Sequence, residues 1–107
     1  MGRSTRAHPA TPAVRLSLRL SAELDVDAAY AWYESRRQGL GAVFLRSLDA
    51  CFDRLRREPE IYAVQYDRVR RVRVRRFPYW VYYVIRDHRV DVLSVYHERR
   101  RPRVFEA

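Results

Sequence analysis

VRRVRVRRFPYWVYYVIRDHRVDVLSVYH, residues 69–97, is the stretch whose reading decides the fold. In its first third Val72 and Val74 point one way, and Arg71, Arg73 and Arg75 point the other. That period of two is the mark of a strand with one buried face. Phe77-Pro78-Tyr79 makes a turn into WVYYVIRD, a run of aromatic and β-branched residues that favours a second strand. Asp87-His88-Arg89 makes the next turn, and VDVLSVYH reads as a third strand. Strict alternation predicts Asp91, Leu93 and Val95 on one face of it, with Val92, Ser94 and Tyr96 on the other. Connections this tight leave little room for any arrangement but an antiparallel meander.

Upstream, EIYAVQYDR (residues 60–68) reads as a link with weak alternation of Tyr62, Val64 and Tyr66. Before it, residues 41–58 carry Leu45, Leu48, Phe52 and Leu55 at i, i+3, i+7 and i+10, a buried helical stripe that Pro59 closes. SAELDVDAAYAWYESRRQG (residues 21–39) predicts another helix. Ser21 is its expected cap, Glu23, Asp25 and Asp27 favour its N-terminal dipole, and Val26, Ala29, Tyr30 and Tyr33 share one face. Gly39 can take the left-handed position after the last turn. The alternation of Val14, Leu16, Leu18 and Leu20 with Arg15, Ser17, Arg19 and Ser21 predicts an opening strand. The order is β-α-α-β-β-β. It predicts a two-layer α+β domain over residues 13–102, with a helical hairpin packed on one face of an antiparallel sheet and the arginines and several tyrosines on the other. Residues 1–12 are expected to be a flexible basic tail, and residues 103–107 a short C-terminal one.

A chain of 107 residues with 48% hydrophobic and 13% aromatic content makes one domain with a genuine core, not a disordered segment. One cysteine, Cys51, excludes a disulfide framework and a cysteine-based zinc site, and is read as a small packing residue in a reducing, cytoplasmic compartment. No apolar run approaches the roughly 20 residues needed to span a bilayer, so no membrane association is expected. The opening residues lack the apolar segment of a secretory signal. The net charge is +9, and all 22 basic residues are arginine. Four arginines and no acid fall in residues 1–20, six arginines and eight acids in 21–60, and twelve arginines and five acids in 61–107. A basic C-terminal half points to an anionic partner, nucleic acid or acidic protein.

The chain lacks a glycine-rich phosphate loop, and His8, His88 and His97 are too scattered for a metal site, so neither metal nor cofactor is expected. Arg68, Arg70, Arg71, Arg73, Arg75 and Arg76 place six cations within nine residues. Same-face members of such a strand stand roughly 7 Å apart, close to phosphate spacing, and guanidinium forks bind phosphates bidentately. At the end of the last strand His97 is a candidate general acid or base, with Tyr96, Arg99 and Arg100 beside it. Tyr79, Trp80, Tyr82, Tyr83 and Tyr96 could stack bases, although alternation must bury about half of them.

Five pieces of this sequence together resemble the RelE/ParE superfamily of type II toxin–antitoxin toxins. They are A-Y-x-W-Y-E (Ala29 to Glu34), G-L-G-x-x-F (Gly39 to Phe44), P-E-x-Y (Pro59 to Tyr62), R-R-F-P-Y (Arg75 to Tyr79) and V-L-x-V-x-H-x-R-R (Val92 to Arg100). The resemblance runs from about Leu20 to Pro102. It implies a small bacterial toxin held inactive by a cognate antitoxin, in some cases within a larger toxin–antitoxin oligomer. One branch of the superfamily cleaves mRNA on the ribosome without a metal, and His97 beside Tyr96 and the arginines favours that reading; the alternative is the branch that inhibits DNA gyrase. For the first branch the resemblance implies catalytic roles for His97, Tyr96, Arg75 and Arg76. Arg70, Arg71, Arg73, Tyr79, Arg99 and Arg100 would then contact RNA or a protein partner. A third reading is an inactive remnant that uses the basic sheet only to bind nucleic acid.

Overall fold

A computed structural model of the chain describes residues 14–99. Its elements are β1 (Arg15–Leu18), α1 (Leu20–Arg36), α2 (Leu40–Arg57), β2 (Val64–Tyr66), β3 (Val69–Arg73), β4 (Tyr79–Arg86) and β5 (Arg89–His97). The five strands form one sheet in the order β1-β5-β4-β3-β2. β3, β4 and β5 make the expected antiparallel meander. Two pairings go beyond the antiparallel sheet read from sequence. Val64–Tyr66 forms the short edge strand β2 instead of a link. β1 lies parallel to β5, with Arg15 opposite Arg89 and Leu18 opposite Val92, so the sheet is mixed. Four alternating residues disclose a strand but not its partner or its direction.

Strict alternation fails on β5. Tyr82 lies opposite Ser94 while Tyr83 lies opposite Val92, so Leu93 is the extra residue of a bulge. In consequence Val90, Val92 and Val95 pack together under the helices, whereas Leu93 joins a second cluster with Val69, Tyr82 and Val84. The expected grouping of Asp91, Leu93 and Val95 on one face therefore does not form.

The main core lies between the helical hairpin and the sheet. Leu48, Phe52 and Leu55 of α2 are buried as the stripe predicts, with Phe44 and Cys51 beside them, and Leu45 is half-buried. Tyr33, Phe44, Phe77 and Tyr79 form an aromatic group with ring centroids 5.0–6.2 Å apart, within the range of favourable edge and offset contacts. On α1, Ala22, Ala29 and Tyr33 are buried, but Tyr30 is more than a third exposed. Its ring lies over Gly41, where an added Cβ would come within 2.6 Å of it.

α1 also starts differently from the sequence reading. Arg19 is its N-cap, and its side chain makes no capping bond to the first amides of the helix. The Ser21 hydroxyl instead donates to the Leu93 carbonyl at 2.7 Å, tying the helix to the bulge. The join between the helices is built around Glu34. Its carboxylate accepts the Gly39 amide at 2.9 Å and the Gly41 amide at 3.0 Å, satisfying donors at the start of α2. Gly39 turns the chain with φ 91°.

Candidate functional site

The helix-free face of the sheet carries the first group of candidates. Arg71 lies opposite Tyr82, Arg73 opposite Trp80, and Trp80 opposite Tyr96. The Arg71 guanidinium sits 3.9 Å above the Trp80 ring, a cation–π contact. Arg73 forms an ion pair with Glu98 at 3.0 Å. Arg70 points away from this pair and donates to the Glu60 and Tyr62 carbonyls at 2.9 and 2.7 Å, pinning the segment before β2. β3 ends at Arg73, so Arg75 does not extend the expected row of arginines. The aromatic set divides as well. Tyr79 and Tyr83 belong to the core under the helices, Tyr82 is buried in the second cluster, and Trp80 and Tyr96 are only partly covered.

His97 lies elsewhere. It ends β5 opposite Tyr79, with the two rings edge to face at 5.2 Å. Its Nδ1 accepts the Arg99 amide at 3.1 Å, which leaves Nε2 as the protonated nitrogen of the neutral ring. The side chain lines a cavity of about 470 Å³ together with Asp25, Trp32, Tyr79 and Val95. Asp25 matters here for a reason the sequence reading missed. β1 stops opposite Val92, and beyond that point Asp25 takes over the edge of β5 by accepting the Ser94 hydroxyl at 2.6 Å and the Val95 amide at 3.0 Å. Tyr96, next to His97 in a strand, projects to the opposite face, against Trp80.

Arg75 and Arg76 stand in the β3–β4 turn. That turn is closed by the Val74 amide donating to the Tyr79 carbonyl at 2.9 Å and the Tyr79 amide to the Phe77 carbonyl at 2.8 Å, and it is tied to the residue after β5 by the Glu98 amide on the Pro78 carbonyl at 2.8 Å. Arg76 has φ 72°, in the left-handed region. The two arginines line a second cavity, of about 270 Å³, against α2, where Arg46 and Ser47 complete the wall. The structure thus brings Arg75 and Arg76 together with Arg46, and places His97 in a different cavity against α1. Arg46 escaped the sequence reading because it lies on a helix far from the strand whose charges drew attention. Arg99 is exposed, and Arg100 lies outside the described residues, as do His8 and both tails.

Two buried acids respond to the core. Burial raises the Cys51 thiol to about 11, with Arg54 and Arg75 pulling in the other direction. Burial also raises the Tyr83 hydroxyl, which donates to the Pro59 carbonyl at 2.6 Å. A thiol held neutral in this way is a packing group, not a nucleophile.

Among the described residues no helix is long and apolar enough to cross a membrane. No curated protein sequence matches the chain at a significant level. A solved structure described as the chromosomal ParDE TA system from P. aeruginosa superposes with a TM-score of 0.71 at 16% identity, covering 78% of this chain and 95% of that one. That likeness is one of fold. The family model described as the ParE toxin of type II toxin–antitoxin system, parDE, matches residues 16–102, which takes in both helices, both of these cavities and all of the sheet but Arg15. By that match the chain belongs to the ParE toxin family of type II toxin–antitoxin systems.

Proposed function

We propose that this toxin acts by inhibiting DNA gyrase, without cutting RNA, and that a cognate antitoxin neutralises it. The observation that carries the reading is the separation of the candidate catalytic groups. Cleavage of an RNA strand needs an acid–base group and a charge-stabilising cation around one ribose phosphate. Here His97 lines the cavity against α1, Arg75 and Arg76 line the cavity against α2, and Tyr96 lies on the other face of the sheet. Arg73, on β3, is already paired with Glu98, the residue after His97. Membership of the ParE family supports the same target. The antitoxin reading draws support from exposed Leu20, Leu24 and Trp32 of α1, apolar surface that a folding-on-binding segment could cover.

The decisive experiment is inducible expression of the wild type and of His97→Ala, with growth, mRNA integrity and gyrase supercoiling followed together. The expected result is growth arrest by both proteins, relieved by the neighbouring antitoxin gene, with intact messages and blocked supercoiling. Cleaved messages that become intact in His97→Ala, a loss of about 10²–10⁴-fold in cleavage, would establish the mRNA-cleaving alternative instead.

A further inference from the structure

We propose that the notch between α2 and the β3–β4 turn is a phosphate-binding site, with Arg46, Arg75 and Arg76 as its three cationic walls. Val43, Arg46, Ser47 and Ala50 fall at i, i+3, i+4 and i+7, so they form one face of α2, and Arg75 and Arg76 close the notch from the turn. The small side chains of Ser47 and Ala50 leave the space open between the guanidinium groups, and the Ser47 hydroxyl adds a neutral donor.

Six other arginines of this fold are occupied. Arg19 pairs with Asp91 and Arg56 with Asp53, Arg73 pairs with Glu98, Arg70 and Arg54 donate to backbone carbonyls, and Arg71 covers Trp80. Arg46, Arg75 and Arg76 make no ion pair among the described residues, and no acid lines their notch. Three like charges around one small cavity repel one another until an anion enters. Arg76 sits at φ 72°, a conformation that costs any residue with a Cβ and that glycine would hold without strain. An arginine at that position keeps the turn strained and puts a third cation on the notch.

The charge count selects the ligand class. A single carboxylate would leave two of the three cations uncompensated. A phosphate monoester, or two neighbouring phosphodiesters, carries about the charge required and presents oxygens suited to guanidinium forks. Such a group could come from a nucleic-acid backbone or from a free polyphosphate. The proposal is independent of whether gyrase is the target.

The test uses the purified full chain and two probes, a short fluorescein-labelled single-stranded DNA and inorganic tripolyphosphate. Arg46→Glu is compared with Arg37→Glu, an equal charge change at an exposed position at the end of α1. The expected result is a loss of about tenfold or more in affinity for at least one probe in Arg46→Glu, and no more than about twofold in Arg37→Glu. Loss confined to DNA assigns the site to a nucleic-acid backbone; loss confined to tripolyphosphate assigns it to free phosphates. Equal losses in the two variants, failure of both probes to bind the wild type, or equally tight Arg46-dependent binding of a polyglutamate peptide would overturn the proposal. A second variant guards against misfolding. Arg76→Gly relieves backbone strain while removing a cation, so its melting temperature should rise as phosphate affinity falls. Unchanged affinity in that variant would also overturn the three-arginine site.

Discussion

Asp25 illustrates how a residue can be read correctly for its charge and wrongly for its work. Its position in the second turn of α1 fits a favourable interaction with the helix dipole. Its carboxylate, however, takes the Ser94 hydroxyl and the Val95 amide, two donors of a strand some 70 positions further along the chain. Ser94 is wholly buried, so these bonds stand in a poorly solvated place where donors are costly to strand. Asp25→Ala should therefore cost about 1–3 kcal/mol. It should also loosen the edge of β5 next to His97, visible as faster amide exchange at Val95. A variant as stable as wild type, with unchanged exchange, would show that the edge is held by other contacts. No local pattern announces a bond of that span. The same limit applies to Arg46, whose partners in the notch come from a turn thirty residues away in sequence. Tyr82 and Tyr83 show the complementary case. Alternation places one on each side of the sheet, as found, but both are buried, because each face carries its own apolar cluster.

Elements with a regular hydrophobic period were legible, the four-residue β1 among them, and irregular ones were not. α2 repeats its stripe over several turns, and its buried positions follow the stripe closely: Leu48 and Leu55 are 2% and 0% exposed. Leu48→Ala should remove about 2–5 kcal/mol, the range for emptying a well-packed leucine site. That is a large share of the ~5–15 kcal/mol holding a domain of this size together. A urea midpoint equal to wild type would mean that the core closes around the deletion without loss. β2 was missed because three residues are too few to show a period. The bulge at Leu93 was missed because an inserted residue leaves composition unchanged and alters only register. The short motifs fared better once their contacts are seen. A-Y-x-W-Y-E and G-L-G-x-x-F occur together because Glu34 of the first binds two amides of the second, and Tyr30 packs where only a glycine leaves room.

At the scale of the molecule, composition announced a basic surface but could not say which arginines the fold would neutralise. Ion pairs, carbonyls and Trp80 take up much of the strand charge and leave the notch at α2 bare. The core makes a different global prediction, about alkaline stability. Cys51, Tyr83 and Tyr33 are all buried between the helices and the sheet, and burial raises the pKa of each. The folded chain therefore holds these protons more tightly than the unfolded chain does. Stability changes with pH as the protons bound by the unfolded state minus those bound by the native state, and that difference is negative once the unfolded groups begin to ionise. For Cys51 the stabilisation is fully present below its ordinary value of 9.0 and is lost as pH rises through about 11. The two tyrosines extend the loss upward from their ordinary value of 10.0. The urea midpoint should accordingly fall between pH 8 and pH 10.5, by an amount equivalent to about 1–3 kcal/mol. Cys51→Ala should show a shallower decline over the same interval, whatever its stability at pH 8. A midpoint that holds steady or rises with pH would mean that these three groups meet water in the folded chain, against their burial between the helices and the sheet.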